Sequence, residues 1–301
     1  MDELLGSLSR IFTTAFAISS MLSMGLNMTV AQIIEPLRNL RLTILALVAN
    51  FVIVPAAAFL ISSVIPLDPD LRTGLILASM VAGAPLTVKL AQIARGSVTF
   101  GTALVALLVI GTVIYLPLVL PQVLPGVQVD AGALAQPLVL QILLPLAIGL
   151  VVRARYPEEA GDIQPAMGQI SNISLALMLV LTVGLNIGDV LGLFGTGAIL
   201  SIILLIAVGL VTGYLLGGPD TNTKRVLSLG TGQRNLAAAF VIGAGNFADR
   251  PNVLLMLGAI GLMAMLIVMP VAGEFGKRAA AEEAGGSAAP AMAEGAGGAH
   301  P

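Results

Sequence analysis

The chain has 301 residues, 57% of them hydrophobic and 10% charged, with a formal net charge of −2. Soluble domains carry about 25% charged residues, so this composition excludes an ordinary soluble globule, and the near-zero charge excludes a nucleic-acid binder. Cysteine is absent and the one histidine is His300 near the end, which removes disulfides, thiolate metal sites and histidine catalysis. Apolar runs long enough to cross a bilayer, about 20 residues at 1.5 Å each, fall near 11–28, 41–66, 71–94, 98–123, 134–152, 168–190, 194–217, 223–247 and 251–275. The expected fold is therefore an all-α polytopic membrane protein with nine transmembrane helices in a lipid bilayer. The first run follows Asp2 and Glu3, the wrong lead for a cleavable signal, and reads as a retained first helix. Turn signals at "PLDPD" (66–70), "LPGVQVDAG" (124–132), "GGPDTNTK" (217–224) and "ADRPN" (248–252) separate the later runs. From about Ala279 the chain is Ala, Gly, Glu and Pro, a composition expected to be disordered.

Basic residues set the expected orientation. With nine spans, one side carries nine: Arg38, Arg41, Arg95, Arg153, Arg155, Lys224, Arg225, Lys277 and Arg278. The other side carries Arg10, Arg72 and Arg250. This bias puts the N-terminus outside and the C-terminus in the cytoplasm, with the cell membrane as the expected location. Lys89 and Arg234 fall inside spans.

Gly-Leu-Asn occurs at Gly25–Asn27 and again at Gly184–Asn186, five spans later. An odd number of spans inverts the second copy, so spans one to four and six to nine read as inverted repeats. Repeat one covers about 11–123, a linking helix about 134–152, and repeat two about 168–275. In this register spans three and eight correspond. Each is interrupted, at Gly83-Ala84-Pro85 and at Gly230-Thr231-Gly232, and each carries one basic residue just past the break. Interrupted helices in matching positions point to a transporter's binding site.

A guanidinium at the bilayer centre costs about 2.5–3.5 kcal/mol on insertion scales, so Arg234 needs a reason. Both breaks free backbone groups, which membranes tolerate in a protein interior or beside a wet cavity. Each following half-helix turns its positive end toward that cavity, and Lys89 and Arg234 add two cations. Such a site favours an anion; alternatively Lys89 snorkels and Arg234 pairs with a carboxylate, but Asp189 and Glu274 sit at span ends. Gln233 and Asn235 offer amides for a ligand or for interhelical hydrogen bonds. Thr87 suits packing or a ligand equally, as does the lone amide Asn50. Asn27 and Asn186 sit where a helix C-cap is expected. "GTGQRN" lacks the third glycine and the βαβ context of a dinucleotide site, and no H-E-x-x-H or G-x-S-x-G occurs, so the chain does not read as an enzyme.

The stretches "MGLNMTVAQI" (24–33), "NFVIVP" (50–55), "GAPLTVKLAQIARGSVTFGTAL" (83–104) and "GTGQRNLAAAF" (230–240) resemble the bile acid:sodium symporter family. The resemblance covers residues 11–278 and is to a nine-helix form of a usually ten-helix family. It implies a core domain with two discontinuous helices crossing near the midplane, moving against a panel domain. It also implies two sodium ions at the crossing. At the first sodium site the family's Ser-Asn pair, hydroxyls and glutamate correspond here to Thr87-Val88, Gly101 and Val105, and Leu229. At the second, Asn50 and Gln233 keep the amide positions, while the shared glutamate is missing.

The resulting expectation is a secondary transporter of a small organic anion, spanning residues 1–278, with a tail at 279–301. Substrate meets Arg234, Gln233, Asn235, Lys89 and Thr87, no cofactor is required, and Lys89 and Arg234 stand in for sodium. A second reading keeps sodium at Asn50 and Gln233 as coupling ion. A third, of another class, is a non-transporting receptor or channel; polar residues concentrated at two breaks rather than along several spans count against a channel. Substrate identity, direction and oligomeric state have no signature in the sequence.

Overall fold

The computed structural model describes residues 2–123, 131–181, 188 and 192–288, and every regular element among them is helical. The positions Gly184, Asn186 and Asp189, and with them the second Gly-Leu-Asn of the expected repeat, lie outside the described residues. In chain order the helices are α1 (Asp2–Leu26), α2 (Val30–Leu37), α3 (Leu40–Val64), α4 (Pro69–Met80), α5 (Leu86–Ile93) and α6 (Val98–Val123). There follow α7 (whose apolar part is Leu134–Arg155), α8 (Pro157–Leu179), α9 (Ala198–Leu216), α10 (Thr221–Gly232), α11 (Leu236–Asn246) and α12 (Pro251–Ala288).

Five of them, α3, α6, α7, α9 and α12, are long and apolar enough to cross a membrane, with mean hydropathy between 2.1 and 2.7. The protein is an integral membrane protein. The apolar windows of α3, α7 and α9 are 28–33% buried in protein, so Leu60, Val64, Val151 and Leu215 turn outward to lipid. Those of α6 and α12 are 61% and 56% buried and sit inside the bundle.

Local chemistry places the ends. Asn39, Asp68, Asp220 and Asn235 each cap a helix by accepting a backbone N–H with the side chain. Pro55 and Pro145 cannot donate a backbone hydrogen bond, and a π-helical turn precedes each, at Ala49–Ile53 and Val139–Leu143. The first of these turns aims the Asn50 side chain into the bundle, where it is fully buried. Helix α9 lies tight on α10 because Gly213 has no side chain; a Cβ there would overlap the carbonyl oxygen of Leu227. On the other flank α1 packs against α7, α8 and α11.

Two differences from the sequence expectation follow from packing. Gly230 and Gly232 are helical residues of α10, and the chain breaks one step later, at Gln233–Asn235. Those glycines serve close approach: a Cβ on Gly230 would lie 3.0 Å from Thr87 Cγ2, and one on Gly232 would lie 2.8 Å from the Leu210 side chain. Arg234 therefore lies within the break and not past it. Helix α12 runs on to Ala288, so the boundary that composition puts at Ala279 falls inside it. Its extension carries Glu282 and Glu283, which pair with Arg225 and Arg95, each at 2.7 Å.

Candidate functional site

The two breaks meet inside the bundle and are tied to each other. After Met80 the backbone turns extended at Val81 and left-handed at Gly83, with φ of +84°, before Pro85 opens α5. That conformation suits glycine, and a Cβ would also come within 2.6 Å of the Val109 nitrogen. The exposed backbone polar groups find specific partners. Thr112 Oγ1 accepts the Ala82 N–H at 2.9 Å and donates to the Ala82 carbonyl at 3.2 Å. Asn235 donates to the first break twice, from its backbone to Val81 O at 3.4 Å and from Nδ2 to Gly83 O at 3.1 Å. Its Oδ1 accepts the Ala238 N–H and opens α11.

Arg234 is at the centre and is 2% exposed. Its guanidinium donates to Ser79 O at 3.1 Å, to Asn50 Oδ1 at 3.0 Å and to Thr231 O. Asn50 Nδ2 in turn donates to Thr231 Oγ1 at 3.1 Å and to Ala46 O at 3.0 Å. Among the described residues no carboxylate pairs with Arg234. Its charge is balanced by the carbonyl ends of α4 and α10, the negative ends of those helices, and by one amide oxygen. That answers why an apolar chain tolerates it.

Beside this knot, two buried oxygens have no hydrogen-bond partner: Gln233 Oε1 and Thr87 Oγ1. Of the positions that the resemblance links to the first sodium site, Leu229 and Val105 are apolar and packed, at 0% and 1% exposure, while Thr87 keeps its hydroxyl.

A cavity of about 490 Å³ opens from the crossing. Gln233, Arg234 and Asn235 lie on its wall with Ala84 and Pro85, and Lys89 and Gln92 of α5 lead toward the end of the molecule that carries Arg95. The opposite wall belongs to α1 and α8, with Ser23, Asn27, Gln164, Ser171 and Asn172. Lys89 is exposed in it, whereas Thr87 is 1% exposed and lies behind it. Asn27 follows the last turn of α1, its N–H bonded to Met24 O at 3.1 Å, as a C-cap should be.

Of the residues read from the sequence, Arg234, Gln233, Asn235 and Asn50 come together at the crossing with Thr87 nearby, and Lys89 stands apart on the cavity wall. Sequence reasoning missed Thr112 and Ser79. Thr112 had a weak signal, a lone aliphatic hydroxyl in the apolar run "VIGTVIYL". Ser79 had none, because its carbonyl takes part rather than its side chain. The α1–α8 wall was missed too, since its amides and hydroxyls are spread over two distant segments.

The site is thus a helical membrane bundle knotted at two broken helices, with a cavity leading from the knot to one face. The chain belongs to the sodium bile acid symporter family, a transporter family, whose pattern matches residues 15–193. It is similar to the probable sodium/metabolite cotransporter BASS2, chloroplastic, of Oryza sativa subsp. japonica, 27% identical over 234 residues, covering 76% of this chain and 55% of the relative. It is also similar to the corresponding BASS1 protein of Arabidopsis thaliana, 25% identical over 234 residues, covering 76% and 58%. The chain thus spans little more than half the length of these curated relatives.

Proposed function

We propose that this chain is a secondary transporter of a small organic anion, working by alternating access without sodium. The observation that carries the reading is the Arg234 guanidinium seated on Asn50 Oδ1 at the crossing. Asn50 is the amide that the family resemblance gives to sodium, and here a fixed cation already uses its oxygen. A sodium ion added about 4 Å from that guanidinium would meet about 4 kcal/mol of repulsion at an effective dielectric of 20. With Val88, Gly101, Val105 and Leu229 at the other ligand positions, only Thr87 and Gln233 retain side-chain oxygens to offer the ion.

The anion enters the cavity past Lys89 and reaches the positive ends of α5 and α11 beside Gln233 and Asn235. Thr87 supports that wall from behind. Supporting the wider reading of nine spans in inverted repeats is the pairing of two similarly broken helices, α4–α5 and α10–α11. Supporting core and panel domains is the packing of α1 chiefly with α7 and α8, a group that meets the rest of the bundle mainly at α6 and α11. Charge bias favours a cytoplasmic face for the end that carries Arg95 and Arg225, with the cell membrane as the setting.

A second reading retains sodium coupling at Asn50 and Gln233. It is favoured by the unpartnered Gln233 Oε1 and by the cotransporter names of the relatives. One screen separates the two: uptake of radiolabelled small mono- and dicarboxylates into proteoliposomes, in sodium chloride and in choline chloride. Equal uptake in both salts is expected. Uptake that requires sodium would move the assignment to the second reading. Thermal unfolding in the same two salts checks binding directly, because a ligand at a hundredfold excess over its dissociation constant stabilises the folded state by about 2.7 kcal/mol.

A further inference from the structure

Two cations line the large cavity, and they are not equivalent. Arg234 is satisfied by two carbonyls and an amide. Lys89 is exposed and, among the described residues, has neither an ion pair nor a hydrogen bond. Among the described residues none that lines the cavity is acidic. The wall facing α5 is neutral, and part of it is already tied together, with Gln164 Nε2 donating to Ser23 Oγ at 3.1 Å.

Resting on the anion-transporter reading above, we infer that this carrier exchanges one organic anion for another, with Lys89 as the charge that keeps the empty cavity open. Closing the cavity presses α5 onto the α1–α8 wall and encloses the ammonium among neutral hydroxyls and amides. A desolvated charge without a partner is strongly unfavourable. A bound carboxylate supplies the partner, and the cavity then closes around a neutral pair. The loaded carrier moves; the empty one waits.

The far side already shows where the other opening lies. A second cavity of about 270 Å³, lined by Thr14 and Gln141 on one side and by Ala244 and Ala248 on the other, sits beyond the crossing. On α11 buried Phe240 lies between Ala237, which lines the first cavity, and Val241, which lines the second. A one-way carrier must open this second cavity while empty, to return. An exchanger opens it with an anion aboard.

The chain's lack of cysteine makes the test direct. Thr14→Cys and Ala248→Cys, both exposed on opposite walls of the second cavity, take nitroxide labels. Their distance distribution is then measured in the full chain, reconstituted in neutral lipid in Tris chloride with no organic anion. With Lys89 present a single short distance is expected. Lys89→Gln should add a second, longer population, and Lys89→Arg should restore the single one. Two populations with Lys89 intact, or a Lys89→Gln distribution identical to that with Lys89, would overturn the inference. Elution of each variant as a monodisperse species shows that it is folded. Failure of the transporter reading itself registers elsewhere, as absence of anion uptake in the carboxylate screen. For any anion taken up in that screen, internal anion should accelerate uptake, and Lys89→Gln should abolish the acceleration.

Discussion

The first crossing segment, α4–α5, and the second, α10–α11, resemble each other in outline and differ in how they hold charge. At the first, a left-handed glycine and a proline make the break, a threonine from α6 satisfies its backbone, and the basic residue lies a turn further on, facing water. At the second, the basic residue is in the break itself and is the hub of the hydrogen bonds. The same formal charge is a structural pin in one segment and a free group in the other. Distance from the break decides which: Arg234 reaches the carbonyl ends of two helices, whereas Lys89 has moved beyond them along α5.

The largest expected effect breaks the pin. Arg234→Ala leaves the Ser79 and Thr231 carbonyls and Asn50 Oδ1 buried without their donor. At about 1–3 kcal/mol for each unsatisfied group, set against the removed cost of burying a guanidinium, a net loss of about 3 kcal/mol is expected. It should read as a clear fall in the thermal midpoint in detergent. Lys89→Ala, by contrast, should lie within about 0.5 kcal/mol of the parent, as exposed substitutions usually do, while losing anion affinity. Equal destabilisation by both changes would erase the distinction between the two crossings.

A smaller effect concerns the ends of the two segments away from the crossing. The α12 extension touches both, but unequally. Arg225, just inside α10, has a side chain 4% exposed and meets Glu282; Arg95, just after α5, is 53% exposed and meets Glu283. Glu282→Gln should cost about 1–2 kcal/mol, because it strips a buried guanidinium of its carboxylate. Glu283→Gln should cost about 0.5 kcal/mol or less, since water screens that pair. Parallel thermal melts at low and high salt compare them, and the Glu283 effect should vanish first as salt rises.

These contrasts mark what the sequence made legible. Apolar runs locate the long helices, because lipid imposes a length on every span. The two breaks were visible as Gly, Pro and Thr clusters, and Arg234 and Lys89 as charges with no business in hydrocarbon. Which residue of "GTGQRN" leaves the helix was not legible. Glycine signals both a helix end and a close approach, and here Leu210 and Thr87, remote in sequence, select the second meaning. The α12 extension was hidden for a similar reason. Alanine, glycine and glutamate alone read as disorder, and Arg225 and Arg95, both far away in sequence, give Glu282 and Glu283 something to hold. Asn50 read as either hydrogen-bond glue or a ligand, and its side-chain oxygen accepts from Arg234, a partner 184 residues distant that the sequence could not show.

The one change expected to raise stability sharpens the comparison at Thr87 and Gln233, the two oxygens that the knot leaves without partners. One lies on each crossing segment, at a place where the family resemblance expects ligands. A hydroxyl buried unpaired is a standing cost, and replacing it by a methyl of the same shape is nearly neutral or stabilising. Thr87→Val should therefore raise stability by up to about 1 kcal/mol, if Thr87 only fills the space under Gly230. Its methyl already makes that contact, which valine retains. Stability raised with anion uptake unchanged assigns Thr87 to packing, and the substrate then rests on Lys89 and the second break. Stability raised with uptake weakened means the hydroxyl waits for a ligand, and the first crossing contributes chemistry as well as a fixed charge. Gln233→Leu, measured beside it, tells whether the second crossing has the same economy, because a matching pattern would place both free oxygens on one bound anion or ion.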